Sequence, residues 1–85
     1  MALATIETLR NDINDIDDKL IKLFIKRFEL TQQIGEIKKQ SSISILDSNR
    51  EQSILNKIPS SPYQCSLIKI YQTVFKESKK LQETK

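Results

Sequence analysis

The sequence has no histidine, a single cysteine, a single glycine and only two prolines among its 85 residues. Without histidine, the common zinc sites and the Ser-His and Cys-His nucleophilic arrangements are excluded within this sequence. The one cysteine, Cys65, cannot form a disulfide inside the chain. So few glycines and prolines provide few turns, which favours a small number of long helices over many short strands.

The charge balance is also modest, with 14 basic and 11 acidic residues and a net charge of +3. The basic pairs Lys38-Lys39 and Lys79-Lys80 are isolated, so solvated helix faces explain them and we expect no binding to nucleic acid. The N-terminus lacks an apolar stretch suited to a signal peptide or a membrane span. We therefore expect a cytoplasmic protein that does not bind membranes.

The first half of the chain carries a regular apolar repeat with alternating steps of three and four residues. Its members are Ile6, Leu9, Ile13, Ile16, Leu20, Leu23, Leu30, Ile34 and Ile37. This heptad spacing keeps one stripe of a helix, here called the seam, facing a partner helix. It predicts a helix over residues 5–39, which is on the order of 50 Å long.

Two further helices are predicted over residues 49–57 and 62–82, separated by the prolines of the segment PSSP at 59–62. The first helix is too long for the rest of the chain to cover, so the expected cover is a second copy of the same chain. The predicted fold class is all-α, with three helices in a single domain of residues 1–85 and two chains in an intertwined homodimer.

One core position of the seam is charged, because Arg27 stands between Leu23 and Leu30. A charge there is costly unless it is neutralised. A buried ion pair, a residue that fixes the helix register, or an anionic ligand inside the bundle would each explain it. Lys38 projects from nearly the same face, with its Cα about 16 Å from that of Arg27. Two such long side chains could converge on one small anion.

Three other polar residues lie at or beside core-like positions. Arg10 lies about 25 Å from Arg27 along the helix, too far to share a small ligand within one chain. In an antiparallel dimer, however, Arg10 of one chain could approach Arg27 of the other. On the third helix, Ser78 and Gln82 stand one turn apart. Fraying of the helix end explains Gln82, but the two groups could also complete a polar pocket.

The segment DSNRE at 47–51 has the pattern of a helix start. Ser48, followed three residues later by Glu51, fits a capping box. Asp47 and Glu51 also suit the positive end of the helix dipole. Arg50 gains nothing from that dipole, so it is the residue that this interpretation explains least.

Together, three segments of the chain resemble the all-helical class of chorismate mutases. They are LRNDINDIDDKLIKLFIKRFELTQQIGEIK, DSNRE and ESKKLQ. Within them, L-R-x-x-I-x-x-I-D, I-G-x-x-K and D-x-x-R-E follow one another in that order. The resemblance covers nearly the whole chain and implies a helix-swapped homodimer with two active sites. It further implies conversion of chorismate, a dianion, to prephenate by a Claisen rearrangement without cofactor or metal.

The resemblance also implies which residues bind the reacting part of the substrate. Arg10 from the partner chain and Arg27 would pair with substrate carboxylates. Lys38 would bond the breaking ether oxygen and a neighbouring carboxylate. Gln82 would approach the same ether oxygen from the other side.

The remaining implied roles concern the ring of the substrate. Asp47, through its backbone, and Glu51 would hold the ring hydroxyl, with Arg50 beside them. Ser78 would line the side of the ring carboxylate. The chain between Glu51 and Ser78 is a few residues shorter than in enterobacterial members, and a different entry angle of the third helix would rotate Ser78 and Gln82.

Three other functions remain open at this point. An isochorismate-pyruvate lyase uses the same fold and binds a similar dianion. A non-catalytic regulatory dimer would bind chorismate or prephenate without converting it. A structural coiled coil would bind no ligand at all.

Overall fold

The computed structural model describes residues 2–41 and 48–83, with side chains described for residues 5–41 and 49–83. Three α-helices occupy these ranges: α1 over Ala2–Ser41, α2 over Ser48–Asn56 and α3 over Gln64–Glu83. The described residues contain no strand. The predicted all-α fold with one very long N-terminal helix is confirmed.

Helix α1 sets the shape of the molecule. It has 40 residues, and the longest dimension of the chain is 60 Å against 26 and 15 Å in the other two directions. That length equals the one expected for such a helix at about 1.5 Å per residue. The helix extends only slightly beyond the predicted residues 5–39 at each end.

Helix α3 packs along α1, and among the described residues α2 packs against α3 but not against α1. The buried residues lie in the C-terminal half of α1, on α3 and just after α2. They are Thr31, Gly35, Ile58, Val74, Phe75 and Ser78. The small core therefore occupies one end of the elongated molecule.

The link between α2 and α3 moves the start of α3 from the predicted Pro62 to Gln64. The backbone N–H of Gln64 donates to the carbonyl of Ser61 at 3.2 Å, and the N–H of Tyr63 donates to the Ser61 hydroxyl at 3.2 Å. These bonds make a tight first turn before the regular helical bonds begin, which accounts for the difference of two residues.

The other end of α1 is uncovered in the single chain. Six seam residues there are between 42 and 65% exposed: Ile6, Leu9, Ile13, Ile16, Leu20 and Leu23. Helix α3 has 20 residues, so it can cover only about half of α1. None of the described helices has a stretch long and apolar enough to cross a membrane.

Candidate functional site

A cavity of about 290 Å³ lies where the C-terminal half of α1 faces α2 and α3. Its polar wall consists of Arg27, Thr31, Lys38, Arg50, Glu51, Ser78, Lys79 and Gln82. Its apolar wall consists of Leu30, Ile34, Ile54 and Phe75. Four cationic side chains and one carboxylate line the cavity, so its chemistry suits a small anionic ligand with apolar parts.

Most of the predicted site residues meet in this cavity. Six of them line it: Arg27, Lys38, Arg50, Glu51, Ser78 and Gln82. The entry angle of α3 thus leaves both Ser78 and Gln82 on the cavity side. Arg10 does not line the cavity and is exposed in the other half of α1. Asp47 lies outside the described residues, and so does the side chain of Ser48 that the capping box requires.

Arg27 is held by two neutral groups at the cavity wall. Its Nη1 donates a hydrogen bond to the Ser78 hydroxyl at 3.1 Å, and its Cζ lies 6.0 Å from the centre of the Phe75 ring. The first contact fixes the direction of the guanidinium and the second is within cation–π distance. Neither contact supplies a negative charge, which favours an anionic ligand over a buried ion pair as the reason for an arginine in the seam.

The single glycine of the chain lies inside α1, where glycine costs about 1 kcal/mol relative to alanine. Gly35 is buried against α3. A Cβ at this position would lie 2.8 Å from the Cα of Gln82 and 3.1 Å from its Cβ. The absence of a side chain at Gly35 therefore lets the backbone of α3 approach α1 at the residue that carries the cavity amide.

Gln82 presents an unpaired polar group. Its Oε1 is buried and has no hydrogen-bond partner within the part of the chain that the structure describes. A buried amide without a partner is costly, and a bound ligand can satisfy it. Rotation of the amide exchanges its oxygen and nitrogen, so Gln82 can offer either an acceptor or a donor at this point.

Lys79 is a cavity residue that the charge pattern does not reveal, because the pattern groups it with Lys80 as a solvated lysine pair. Its Nζ lies 3.2 Å from Oε2 of Glu51, and both side chains line the cavity. Helical spacing was the available signal, since Lys79 precedes Gln82 by three residues and follows Phe75 by four. The charge pattern cannot reveal Thr31, because its side chain is neutral, although it is 7% exposed, lines the cavity and stands one turn after Arg27.

The fold and the cavity define a small all-helical protein with a cationic ligand site. The sequence profile of the family described as chorismate mutase type II matches residues 9–83. This match covers most of the chain, so the chain belongs to the chorismate mutase type II family.

Individual relatives agree with this assignment. A chorismate mutase from Methanocaldococcus jannaschii is 34% identical over 80 residues, which are 88% of this chain and 81% of that protein. The T-protein of Haemophilus influenzae is 38% identical over 53 residues, 62% of this chain but only 14% of the T-protein. A bifunctional chorismate mutase/prephenate dehydratase from Aquifex aeolicus is 36% identical over 53 residues, and the chain spans 15% of it.

Proposed function

We propose that this chain catalyses the Claisen rearrangement of chorismate to prephenate in the biosynthesis of phenylalanine and tyrosine. The observation that carries the proposal is the cavity in which Arg27 and Lys38 of α1 face Gln82 of α3, in a member of the chorismate mutase type II family. Chorismate has two carboxylates, an ether oxygen and a ring hydroxyl. The cavity offers cations for the carboxylates, donors for the ether oxygen and a carboxylate for the hydroxyl.

The first contribution of the site is to select the reactive conformer of the substrate. The rearrangement needs the two carbons that will bond to lie close together, and it requires neither a nucleophile nor an obligatory proton transfer. Cations at both carboxylates hold the dianion in that folded form, so part of the barrier is overcome on binding. Arg27 is suited to this role because Ser78 and Phe75 already fix its guanidinium.

The second contribution is electrostatic. As the C–O bond stretches, negative charge grows on the ether oxygen. Donors that already point at this oxygen stabilise the transition state more than the bound substrate. We assign this role to the ammonium of Lys38 and the amide of Gln82, and we assign the ring hydroxyl to Glu51 and the backbone of Asp47. Arg50 lies beside Glu51 at the same wall.

The proposed active form is a homodimer, and each of its sites takes Arg10 from the partner chain. Two observations support it. The seam is exposed over the half of α1 that α3 does not reach, and Arg10 lies in that half, away from the cavity of its own chain. An antiparallel second copy would cover the seam and bring a fifth cation to each cavity. The cytoplasmic location stays a prediction from the sequence.

The decisive experiment is incubation of the purified chain with chorismate. We expect prephenate to form, and Lys38→Ala to lose at least about 100-fold in kcat, because one preorganised donor of this kind contributes roughly 3 kcal/mol or more. Lys39→Ala is the matched control, since Lys39 is adjacent, exposed and outside the cavity.

Other results of this incubation, and of a parallel one with isochorismate, point to the competing functions. Pyruvate released from isochorismate would identify a lyase. Binding of chorismate without its loss would identify a regulatory protein. Full activity of Lys38→Ala would refute the role given to that residue.

A further inference from the structure

An ion pair between α2 and α3 forms part of the cavity wall. The Nζ of Lys79 lies 3.2 Å from Oε2 of Glu51, and both residues line the cavity. We infer that Lys79 is a positioning residue that holds the Glu51 carboxylate in the orientation needed to accept the ring hydroxyl of the substrate. The inference rests on the proposed function and adds a residue to those that the family resemblance implies.

The exposure of the pair argues against a mainly structural role. The side chain of Lys79 is 36% exposed and that of Glu51 is 28% exposed. Ion pairs so open to water contribute little to folding stability, because solvent screens the charges and two long side chains must be ordered. The pair faces the cavity, however, and its geometry decides where the only described carboxylate of the wall points.

The pair leaves the carboxylate able to bind a ligand. An ionised carboxylate has two oxygens with about four acceptor positions between them. Lys79 takes one position on Oε2, so other positions can accept a hydrogen bond from a hydroxyl. A glutamate without such a partner samples several rotamers, and ordering it on binding costs free energy.

The ion pair with Lys79 also offsets the attraction of the Glu51 carboxylate to the other cations of the cavity. Lys38 and Arg50 line the same cavity as Glu51. A carboxylate released from Lys79 would be attracted to these cations, which the substrate carboxylates need. Lys79 thus holds the Glu51 carboxylate in place in a cavity whose other charged side chains are positive.

The test is a double-mutant cycle with steady-state kinetics on chorismate. Lys79→Met keeps the aliphatic length of the side chain and removes its charge. We expect it to reduce kcat/KM about tenfold, because the lost interaction involves two charged groups. Glu51→Gln should also reduce kcat/KM. The double variant should be no worse than Glu51→Gln alone, because Lys79 acts through Glu51.

Two further variants separate positioning from structure. Lys79→Arg keeps the charge and should retain most of the activity lost in Lys79→Met. Lys80→Met is the matched control, because Lys80 forms a similar pair with Glu77 at 3.3 Å on the exposed face of α3. It should leave kcat/KM unchanged. The thermal midpoints of Lys79→Met and Lys80→Met should be similar, since both pairs are partly exposed.

Each contrary result has one meaning. If the losses of Lys79→Met and Glu51→Gln multiply in the double variant, Lys79 contacts the substrate itself and the inference is wrong. If Lys79→Met keeps the wild-type kcat/KM, Lys79 has no role in the reaction and the inference is wrong while the proposed function stands. If the wild-type chain does not convert chorismate, the proposed function fails and the inference falls with it.

Discussion

Replacing Gly35 with alanine tests how closely the site depends on the approach of α1 and α3. The added Cβ would lie 2.8 Å from the Cα of Gln82 and 3.1 Å from both its Cβ and Cγ. Carbon atoms in ordinary contact are about 3.5–4.0 Å apart. The nearest atom belongs to the backbone and cannot rotate away. The two helices must therefore separate by about 1 Å at this point, or α3 must turn about its axis.

The effect on stability is the sum of two opposing terms. Overpacking of this kind costs about 1–3 kcal/mol. Alanine in place of glycine inside a helix returns about 1 kcal/mol. We therefore expect Gly35→Ala to lower the free energy of unfolding by only about 0–2 kcal/mol, and the chain to remain folded.

The effect on activity should be larger, because the displaced backbone bears the Gln82 side chain, which lines the cavity. Its amide would move with the backbone. A misplacement of about 1 Å at a reacting group can cost about 100-fold in rate. The loss of chorismate absorbance gives kcat/KM, and urea denaturation followed by circular dichroism gives the stability. Glu36→Ala, at the adjacent exposed position of α1, should change neither.

Two results would contradict this reasoning. Wild-type kcat/KM in Gly35→Ala would mean that the approach of the helices does not position Gln82. A loss of activity that simply follows the unfolded fraction at each urea concentration would mean that Gly35 serves stability alone.

Four further substitutions test other contacts. Ser78→Ala removes the acceptor of Arg27, so KM for chorismate should rise about fivefold to tenfold with folding retained, which steady-state kinetics will measure. Arg10→Ala and Arg27→Ala should each be inactive alone, and mixing them should restore about a quarter of the wild-type activity if chains exchange freely; no recovery would refute the shared site. Phe75→Ala should lower the free energy of unfolding by about 3–5 kcal/mol in a urea titration, because Phe75 is buried.

The long helix could be predicted from the sequence because its signal is local and repeated. The seam runs from Ile6 to Ile37 without a proline, and α1 occupies nearly the predicted range. The start of α3 was less predictable. The turn at Ser61 depends on side chain to backbone bonds, which compete with the helix and leave no periodic signal.

The site was predictable where one helix sets the geometry. Arg27 and Lys38 lie on α1, so helical rise and rotation alone predict that both can face one cavity. Lys79 and Glu51 lie on different helices, and their pairing depends on how α2 packs on α3. Local sequence does not encode that placement. The sequence likewise does not predict why residue 35 is glycine, because the close approach of α1 and α3 at this point depends on the fold.

The geometry of α1 connects the proposed catalysis with the proposed association. Its C-terminal half forms one wall of the cavity, while its N-terminal half carries Arg10 and the exposed seam residues that α3 does not reach. A helix is stiff, and Arg10 lies about 25 Å from Arg27 along it. No rearrangement that keeps α1 intact can bring the two arginines of one chain together. If Arg10 acts in the reaction, a second chain must supply it, so the surface that covers the seam is also the one that completes the site.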